Sequence, residues 1–172
     1  GKGMSSLAVA VQRVEAGEID QEQFDSVQQV FVVSNTAFLV RADLFKALGG
    51  FDEEMGMFGE DLDFCWRAQI AGGKIMVVPG AIARHRDESG EYQTNPKRSR
   101  LMERHRLRSV LSNYGKVRVL PMLLLSLLIS TIKGILGLLR GRLTNLLILI
   151  DSFIWNLLNV KSLIQKRKVI SK

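Results

Sequence analysis

Two long apolar runs near the C-terminus constrain the fold of this chain most. Residues 119–139 are interrupted only by Pro121 and Lys133, and residues 143–160 only by an aspartate and several polar residues. Each run is about long enough to cross a bilayer core, which takes about 20 residues of helix. Because only residues 140–142 join the two runs, the sequence predicts an apolar helical hairpin.

Basic clusters flank this hairpin on both sides, at residues 97–118 and 161–172. The excess of Lys and Arg on the cytoplasmic side of membrane proteins predicts that both ends are cytoplasmic. Arg140 and Arg142 in the connection would then have to cross the bilayer or stay in a shallow re-entrant hairpin. An interfacial hairpin and a soluble pair of helices therefore remain as alternatives.

The charge of the chain is distributed unevenly. The net charge is +7 and the pI about 9.9, with 47% hydrophobic residues, which fits a basic protein at an anionic surface of nucleic acid or lipid. Acids outnumber bases up to Ile82, and the basic surplus begins at Arg84. This division predicts an acidic soluble segment and a basic apolar one. The single cysteine, Cys65, excludes an intramolecular disulfide and a cysteine-based zinc site, and indicates a reducing compartment.

The basic stretch at 97–116 is predicted to be a helix with its leucine and valine side chains towards one side. It has the pattern of an interfacial amphipathic helix, and a solvated basic face on a helix packed against the domain explains it equally well. Aromatic residues are not interleaved with its charges, and no base-reading motif accompanies them. Lipid headgroups are therefore favoured over nucleic acid as the anionic partner.

The N-terminal part of the chain predicts alternating short helices and strands, which is typical of an α/β layer. Paired glycines at 49–50 and 72–73 are expected to end two of the helices, because a left-handed residue after a helix favours glycine. The predicted helices are 5–17, 42–48 and 60–71, and the predicted strands are 30–33, 37–40 and 74–79.

Residues 49–67, GGFDEEMGMFGEDLDFCWR, place three acids in the opening turn of the third helix. The apolar residues Leu62, Cys65, Trp66 and Ile70 fall at i, i+3, i+4 and i+8 on one helical face, so this face is predicted to be buried. The spacing predicts that Asp61 and Asp63 point away from it and are free for chemistry. An alternative is that the acids only complement the helix dipole and cap free N–H groups.

The stretch NTAFLVRADLFKALGGFDEEMGMFGEDLDFCWRAQIAGGKIMVVPGAIARHR resembles the C-terminal half of the catalytic domain of family 2 glycosyltransferases, whose fold is called GT-A. The shared pattern is LVR, a helix, GGFDE, ED with D two residues on, an Arg, a strand ending in Pro, and a His, over residues 30–86. The later RHRLRSVLSNYG resembles the segment that follows this domain in membrane-bound bacterial members, notably actinobacterial ones.

The resemblance implies an α/β fold class, with a partial GT-A (Rossmann-like) fragment followed by a basic amphipathic helix and an apolar helical hairpin. The implied division is 1–96 for the acceptor-side half of the glycosyltransferase domain, 97–118 for the basic helix, and 119–172 for the membrane-associated hairpin with its basic tail.

The resemblance also implies a role for each matching residue. Asp61 would be the general base that deprotonates the acceptor hydroxyl, and Glu60 would orient that site. The implied substrate-binding residues are Asp63 and Arg67, which would hold the helix and shape the acceptor side, and Gly50, Phe51 and Asp52, which would form the turn over the acceptor. His85 matches the position that completes a divalent-metal site in several members.

In this family a nucleotide-sugar donor is bound by an N-terminal half through Mg²⁺ or Mn²⁺. No such half precedes residue 1, so the chain is expected to hold at most half an active site and to be inactive alone. The expected function is inverting transfer of a sugar to a cell-envelope or lipid-linked glycan acceptor. The expected location is the cytoplasmic face of the bacterial inner (plasma) membrane, on anionic lipid and without nucleic acid. The alternative is a non-catalytic membrane-bound binding or scaffold module.

Overall fold

The structure is a computed structural model that describes residues 2–15, 17–19, 21–83 and 95–170. The described part contains six helices and four short strands. In chain order they are β1 (Lys2–Met4), β2 (Ala10–Gln12), β3 (Gln28–Gln29), α1 (Ala42–Ala47), α2 (Glu60–Ile70), β4 (Met76–Val77), α3 (Pro96–Asn113), α4 (Lys116–Leu139), α5 (Thr144–Leu158) and α6 (Val160–Ile170).

The strands form two small antiparallel sheets. β1 pairs with β2, with Lys2 opposite Gln12, and β3 pairs with β4, with Gln28 opposite Val77. A bridge between Lys2 and Val32 joins the two sheets. The expected α/β layer is therefore reduced, within the described residues, to two-stranded ladders packed beside helices.

Four of the predicted elements in this region were wrong or too long. Of the predicted strand 74–79 only β4, Met76–Val77, is present. Residues 5–17 were predicted as a helix, but they form a turn around Ala8, whose φ is 57°, followed by β2. Ala8 is buried against Trp66 and Val110 of the core, and these distant contacts outweigh the weak local helix propensity. The predicted strand 30–33 is reduced to the single bridge at Val32, and 37–40 is not a strand.

The predictions for α1 and α2 are confirmed to within two residues at each end. Gly49 and Gly50 follow α1 with φ of 73° and 69°, and Gly72 follows α2 with φ of 82°, so the glycines end both helices as expected. The hairpin helices α4 and α5 are also present. The basic tail after 160 folds into a further helix, α6, which was not predicted.

α2 is the centre of the core and is covered on more than one side. Leu62, Cys65 and Trp66 pack against Val32 and Val110, which confirms that Trp66 is a packing residue. Phe64 and Ala68 on another side pack against an aromatic cluster of Phe38, Phe45 and Phe51. The prediction of one buried face on α2 was therefore too narrow, and it was wrong for Ile70, which is 44% exposed at the end of the helix. Asp63, which was expected on the solvent side, is buried as well.

Helix α4 is long and apolar enough to cross a membrane, by length and composition only. α5 and α6 pass the same test only as a pair, and they are bent by 70° at their junction. The basic helix α3 packs along α5, where Arg104 and Arg100 of α3 both pair with Asp151 in the middle of α5. The charge that interrupts the second apolar run is therefore neutralised by α3.

Candidate acceptor site

Asp61 lies at the start of α2 and is only partly buried. Its Oδ1 accepts a hydrogen bond of 2.7 Å from the backbone N–H of Leu62. Its Oδ2 makes no hydrogen bond to any described residue, and Asp61 takes part in no ion pair among those residues. One oxygen is thus held by the helix start while the other is free to accept a proton.

Glu60 lies beside Asp61 and is more enclosed. Its Oε1 accepts a 2.6 Å hydrogen bond from the side-chain amide of Asn35, which precedes α1 in the chain. Its Oε2 is buried and has no hydrogen-bond partner among the described residues. Burial raises the pKa of Glu60, and the charge of Asp61 raises it further. An unsatisfied buried oxygen of this kind is suited to a ligand hydroxyl.

Asn35 is a site residue that the sequence reasoning did not single out. Asn35 is the first residue of the NTAFLVR segment, which resembles the family pattern. Its position in that segment is the sequence signal that could have identified it. Its amide donates to Glu60 across 25 residues of chain, which fixes Oε1 and leaves the buried Oε2 without a hydrogen-bond partner among the described residues.

Asp63 is fully buried, which corrects the prediction that it is free at the helix surface. Its Oδ2 accepts from Arg67 Nε at 2.8 Å, and its Oδ1 accepts from Lys166 Nζ at 2.7 Å and from the Asn113 amide at 3.0 Å. The physical reason is that α3 and α6 cover the face of α2 that the local periodicity assigned to solvent. Every oxygen of Asp63 is therefore engaged by the protein.

Arg67 fastens the loop that precedes the acids. Its Nη1 donates to the carbonyl of Leu48 at 2.8 Å, and its Nη2 donates to the carbonyl of Gly50 at 2.9 Å. The side chain is 3% exposed, so it holds the turn from inside. The contacts that Asp63 and Arg67 make in the structure stabilise the fold. Contact of either residue with the substrate stays a prediction.

Gly50 and Phe51 form the floor of the same turn. A Cβ on Gly50 would lie 3.3 Å from the ring of Phe45, and the φ of 69° disfavours other residues. The ring of Phe51 has its centroid 5.5 Å from those of both Phe45 and Phe64. Aromatic packing of this kind holds the loop on α1 and α2.

Asp52, the last residue of that turn, is tied to two distant cations. Arg108 donates to it through Nε at 2.6 Å and Nη2 at 3.1 Å, and Lys166 Nζ lies 2.5 Å from its Oδ2. Burial pushes the pKa of Asp52 upward, but Arg108 and Lys166 together outweigh it and lower the pKa to about 2. Lys166 therefore bridges Asp52 and Asp63, and α6 is fastened to both.

The low pKa of Asp52 predicts an acid-sensitive contribution to stability. A carboxyl whose pKa falls from 3.8 to about 2 on folding stabilises the fold above pH 4, and this contribution is lost as the pH falls towards 2. We expect the gap in free energy of unfolding between the wild type and Asp52→Asn to be about 2 kcal/mol larger at pH 7 than at pH 2. Urea titrations of both proteins at several pH values measure it, and a gap that does not change with pH would contradict it.

The other end of the loop is held by α3. The Nδ1 of His105 lies 2.6 Å from the carbonyl of Phe58, and the side chain is almost fully buried. Burial lowers the pKa of His105, so its neutral form is favoured and Nδ1–H can donate to that carbonyl. His105, Arg108 and Asn113 all belong to RHRLRSVLSNYG, and their role in holding the loop was not predicted.

The sequence of the chain matches a known protein family. Residues 4–112 match the family described as glycosyltransferase-like family 2. The chain belongs to this family. The recognition made from residues 30–86 is thereby confirmed, and membership implies a Rossmann-like fold and sugar transfer in general.

Individual relatives of this family 2 chain match over short segments. It is 39% identical over 56 residues to the pre-mycofactocin glycosyltransferase of Mycobacterium tuberculosis, which covers 33% of this chain and 12% of the relative. It is 29% identical over 72 residues to polypeptide N-acetylgalactosaminyltransferase 3 of Taeniopygia guttata, covering 41% and 12%. The matches thus span about an eighth of the length of these relatives. No solved structure matches the chain.

Divalent metals are common in this family, but His85, the predicted ligand, lies outside the described residues. Within 2–15, 17–19, 21–83 and 95–170 no group of three or more His, Cys, Asp or Glu residues could hold a metal ion. The metal assignment therefore stays a prediction for this family 2 chain.

Proposed function

We propose that this family 2 chain supplies the acceptor side of an inverting glycosyl transfer, with Asp61 as the general base. The observation that carries the proposal is the contrast between three neighbouring aspartates. Asp52 and Asp63 are paired with buried cations, whereas Asp61 forms no ion pair among the described residues and keeps one carboxylate oxygen free. A base must have a free oxygen within reach of the incoming hydroxyl.

In the proposed step Asp61 takes the proton of the acceptor hydroxyl as that oxygen attacks the anomeric carbon of the donor. A new carbon–oxygen bond forms on the face opposite the leaving group, and the bond to the nucleotide diphosphate breaks, with its electron pair leaving on the phosphate. Inversion at the anomeric carbon follows from attack on the opposite face. The buried Oε2 of Glu60 accepts a second hydroxyl of the acceptor and orients it.

A Mg²⁺ or Mn²⁺ ion bound to the donor diphosphate would neutralise the charge that develops on the leaving nucleotide. We assign no described residue to that ion, and His85 stays the proposed ligand. The described residues act on the acceptor: Asp61 receives its proton, Glu60 and Asn35 position it, and the turn at 50–52 forms its border.

The proposed location is the cytoplasmic face of the bacterial plasma membrane, with α4 in contact with lipid. Because α3 carries many cations and packs along α5, an interfacial hairpin explains the arrangement better than two spanning helices. A site held near headgroups favours a cell-envelope or lipid-linked glycan acceptor. Pre-mycofactocin, which gives the mycobacterial relative its name, is the second acceptor class to test.

The proposal is tested by a transfer assay on the full-length protein with a panel of labelled nucleotide-sugars, using membrane lipid extract and pre-mycofactocin as acceptors. We expect labelled product from the full-length protein. We expect none from the 172-residue chain alone, because the proposal assigns its described residues only to the acceptor side. Binding to anionic liposomes without transfer by the full-length protein would instead support the non-catalytic scaffold function.

A further inference from the structure

A cavity of about 410 Å³ opens between α3, α4 and α5, in the range of volumes that hold small ligands. None of residues 49–67 lines it, so it is separate from the acceptor site around Asp61. Its walls combine two kinds of side chain. Apolar residues of both hairpin helices, Ile129, Leu136, Ile148 and Leu149, form one part, and basic residues form another.

The basic residues differ in how they are satisfied. Arg106 is engaged by the protein, since it donates to Glu103 at 2.6 and 2.9 Å and to the carbonyl of Leu7 at 2.9 Å. Lys133, Arg140 and Arg142 also line the cavity, but their side chains make no hydrogen bond or ion pair with any residue that the structure describes. Glu103 is near Lys133 without forming an ion pair with it. Arg140 and Arg142 therefore border the cavity without an anionic partner among the described residues, and Lys133 has only its electrostatic interaction with Glu103.

The turn fixes the backbone positions of Arg140 and Arg142, whose side chains are exposed. The N–H of Arg142 donates to the carbonyl of Gly137 at 2.7 Å, and Gly141 closes the turn with a φ of 70°. A Cβ on Gly137 would lie 2.9 Å from the carbonyl oxygen of Arg142, so the two helices meet closely at this point. The tight turn holds Arg140 and Arg142 at the same end of the cavity.

We propose that this cavity binds the phosphate head of an anionic amphiphile, with the phosphate between Lys133, Arg140 and Arg142 and the first part of its chain along the apolar wall. Charge complementarity selects the anion, because unpaired cations attract phosphate and guanidinium groups bind it in a fork. The apolar wall disfavours a fully polar anion. The amide of Asn145, which also lines the cavity and makes no hydrogen bond to a described residue, would supply a further donor for the phosphate.

The proposed site gives a function to Arg140 and Arg142, the two arginines of the turn. Their position in the hairpin connection was the feature that conflicted with a spanning hairpin, since cations are costly to move across a bilayer core. Bound to a lipid phosphate they would stay at the headgroup level. The inference does not depend on sugar transfer, because it rests on a different cavity and different residues from those of the acceptor site.

The test is equilibrium binding of dodecyl phosphate to the detergent-solubilised chain, with dodecyl glucoside and inorganic phosphate as comparison ligands. We expect dodecyl phosphate to bind at least about tenfold more tightly than either, because each nearby cation favours the anion and the apolar wall favours the chain. The triple variant K133Q/R140Q/R142Q should lose at least about tenfold in affinity for dodecyl phosphate.

The matched control removes the same charge elsewhere. In K97Q/K116Q/K161Q three exposed lysines outside the cavity lining are replaced, and dodecyl phosphate affinity should be close to that of the wild type. Equal losses in the two triple variants would overturn the proposal by showing a general charge effect. Inorganic phosphate binding as tightly as dodecyl phosphate would also overturn it, as would equal binding of the glucoside. Circular dichroism of both variants shows whether either has lost its helices.

Discussion

Replacement of Asp61 by Asn in the full-length protein is expected to lower the rate of sugar transfer by about 100- to 10,000-fold, the range in which a positioned general base acts. Asn keeps the size of the side chain and can still accept the 2.7 Å hydrogen bond from the N–H of Leu62. It cannot take a proton from the acceptor hydroxyl. Binding of the nucleotide-sugar should be unchanged, because Asp61 is assigned to the acceptor side.

The measurement is steady-state transfer together with equilibrium binding of the donor by wild type and variant. The control is Glu54→Gln, which removes one carboxylate from an exposed position of the same loop and should leave transfer unchanged. Normal transfer by the Asp61→Asn variant would show that Asp61 is not the general base. An equal loss in both variants would show that the charge of the loop matters in general.

The contrast between Asp61 and Asp63 shows what the sequence could and could not predict. Both acids belong to one short motif, and local periodicity placed both on the solvent side of α2. Only Asp61 lies there, because the partners of Asp63 are Asn113 and Lys166, which are 50 and 103 residues away in the chain. Local spacing carries no information about which distant helix covers a face.

Features that depend on adjacent residues could be predicted from the sequence. The ends of α1 and α2 depend on glycines with positive φ, and the hairpin depends on two apolar runs joined by three residues. Both features can be recognised from adjacent residues. β2 pairs with the neighbouring β1, but the turn between them is held by Ala8, which packs against Trp66 and Val110 far away in the chain. The bridge at Val32 likewise pairs with the distant Lys2. The helix-prone stretch at 5–17 does not reveal these distant contacts.

The acceptor loop is held from both ends by the helices that follow it. His105 contacts the carbonyl of Phe58 at one end, and Arg108 and Lys166 pair with Asp52 at the other. α3 and α6 flank the apolar hairpin in the sequence, so any change in how the hairpin meets lipid reaches the loop through these contacts. The basic residues near the C-terminus thus have a structural role beyond attraction to headgroups.

Asp63→Asn is expected to destabilise the fold by about 3–5 kcal/mol, the range found when one partner of a buried ion pair is removed. The change leaves the charges of Arg67 and Lys166 buried with less compensation, and both side chains are nearly inaccessible to water. Urea unfolding followed by the fluorescence of the buried Trp66 measures the loss. The matched control is Asp43→Asn, whose partner Arg41 is 82% exposed, and it should change stability little because solvent screens such pairs.

A second substitution separates the structural role of Asp63 from a catalytic one. Lys166→Met removes one of the cations that Asp63→Asn leaves buried without its partner. The double variant should therefore lose less free energy of unfolding than the sum of the losses in the two single variants, as expected for residues in one network. Additive losses would contradict the coupling between α2 and α6. If the Asp63→Asn protein is stable but does not transfer sugar, Asp63 takes part in the reaction rather than only in the buried network. The buried contacts of all its oxygens argue for the supporting role, since an aspartate with every oxygen engaged has none left for the acceptor.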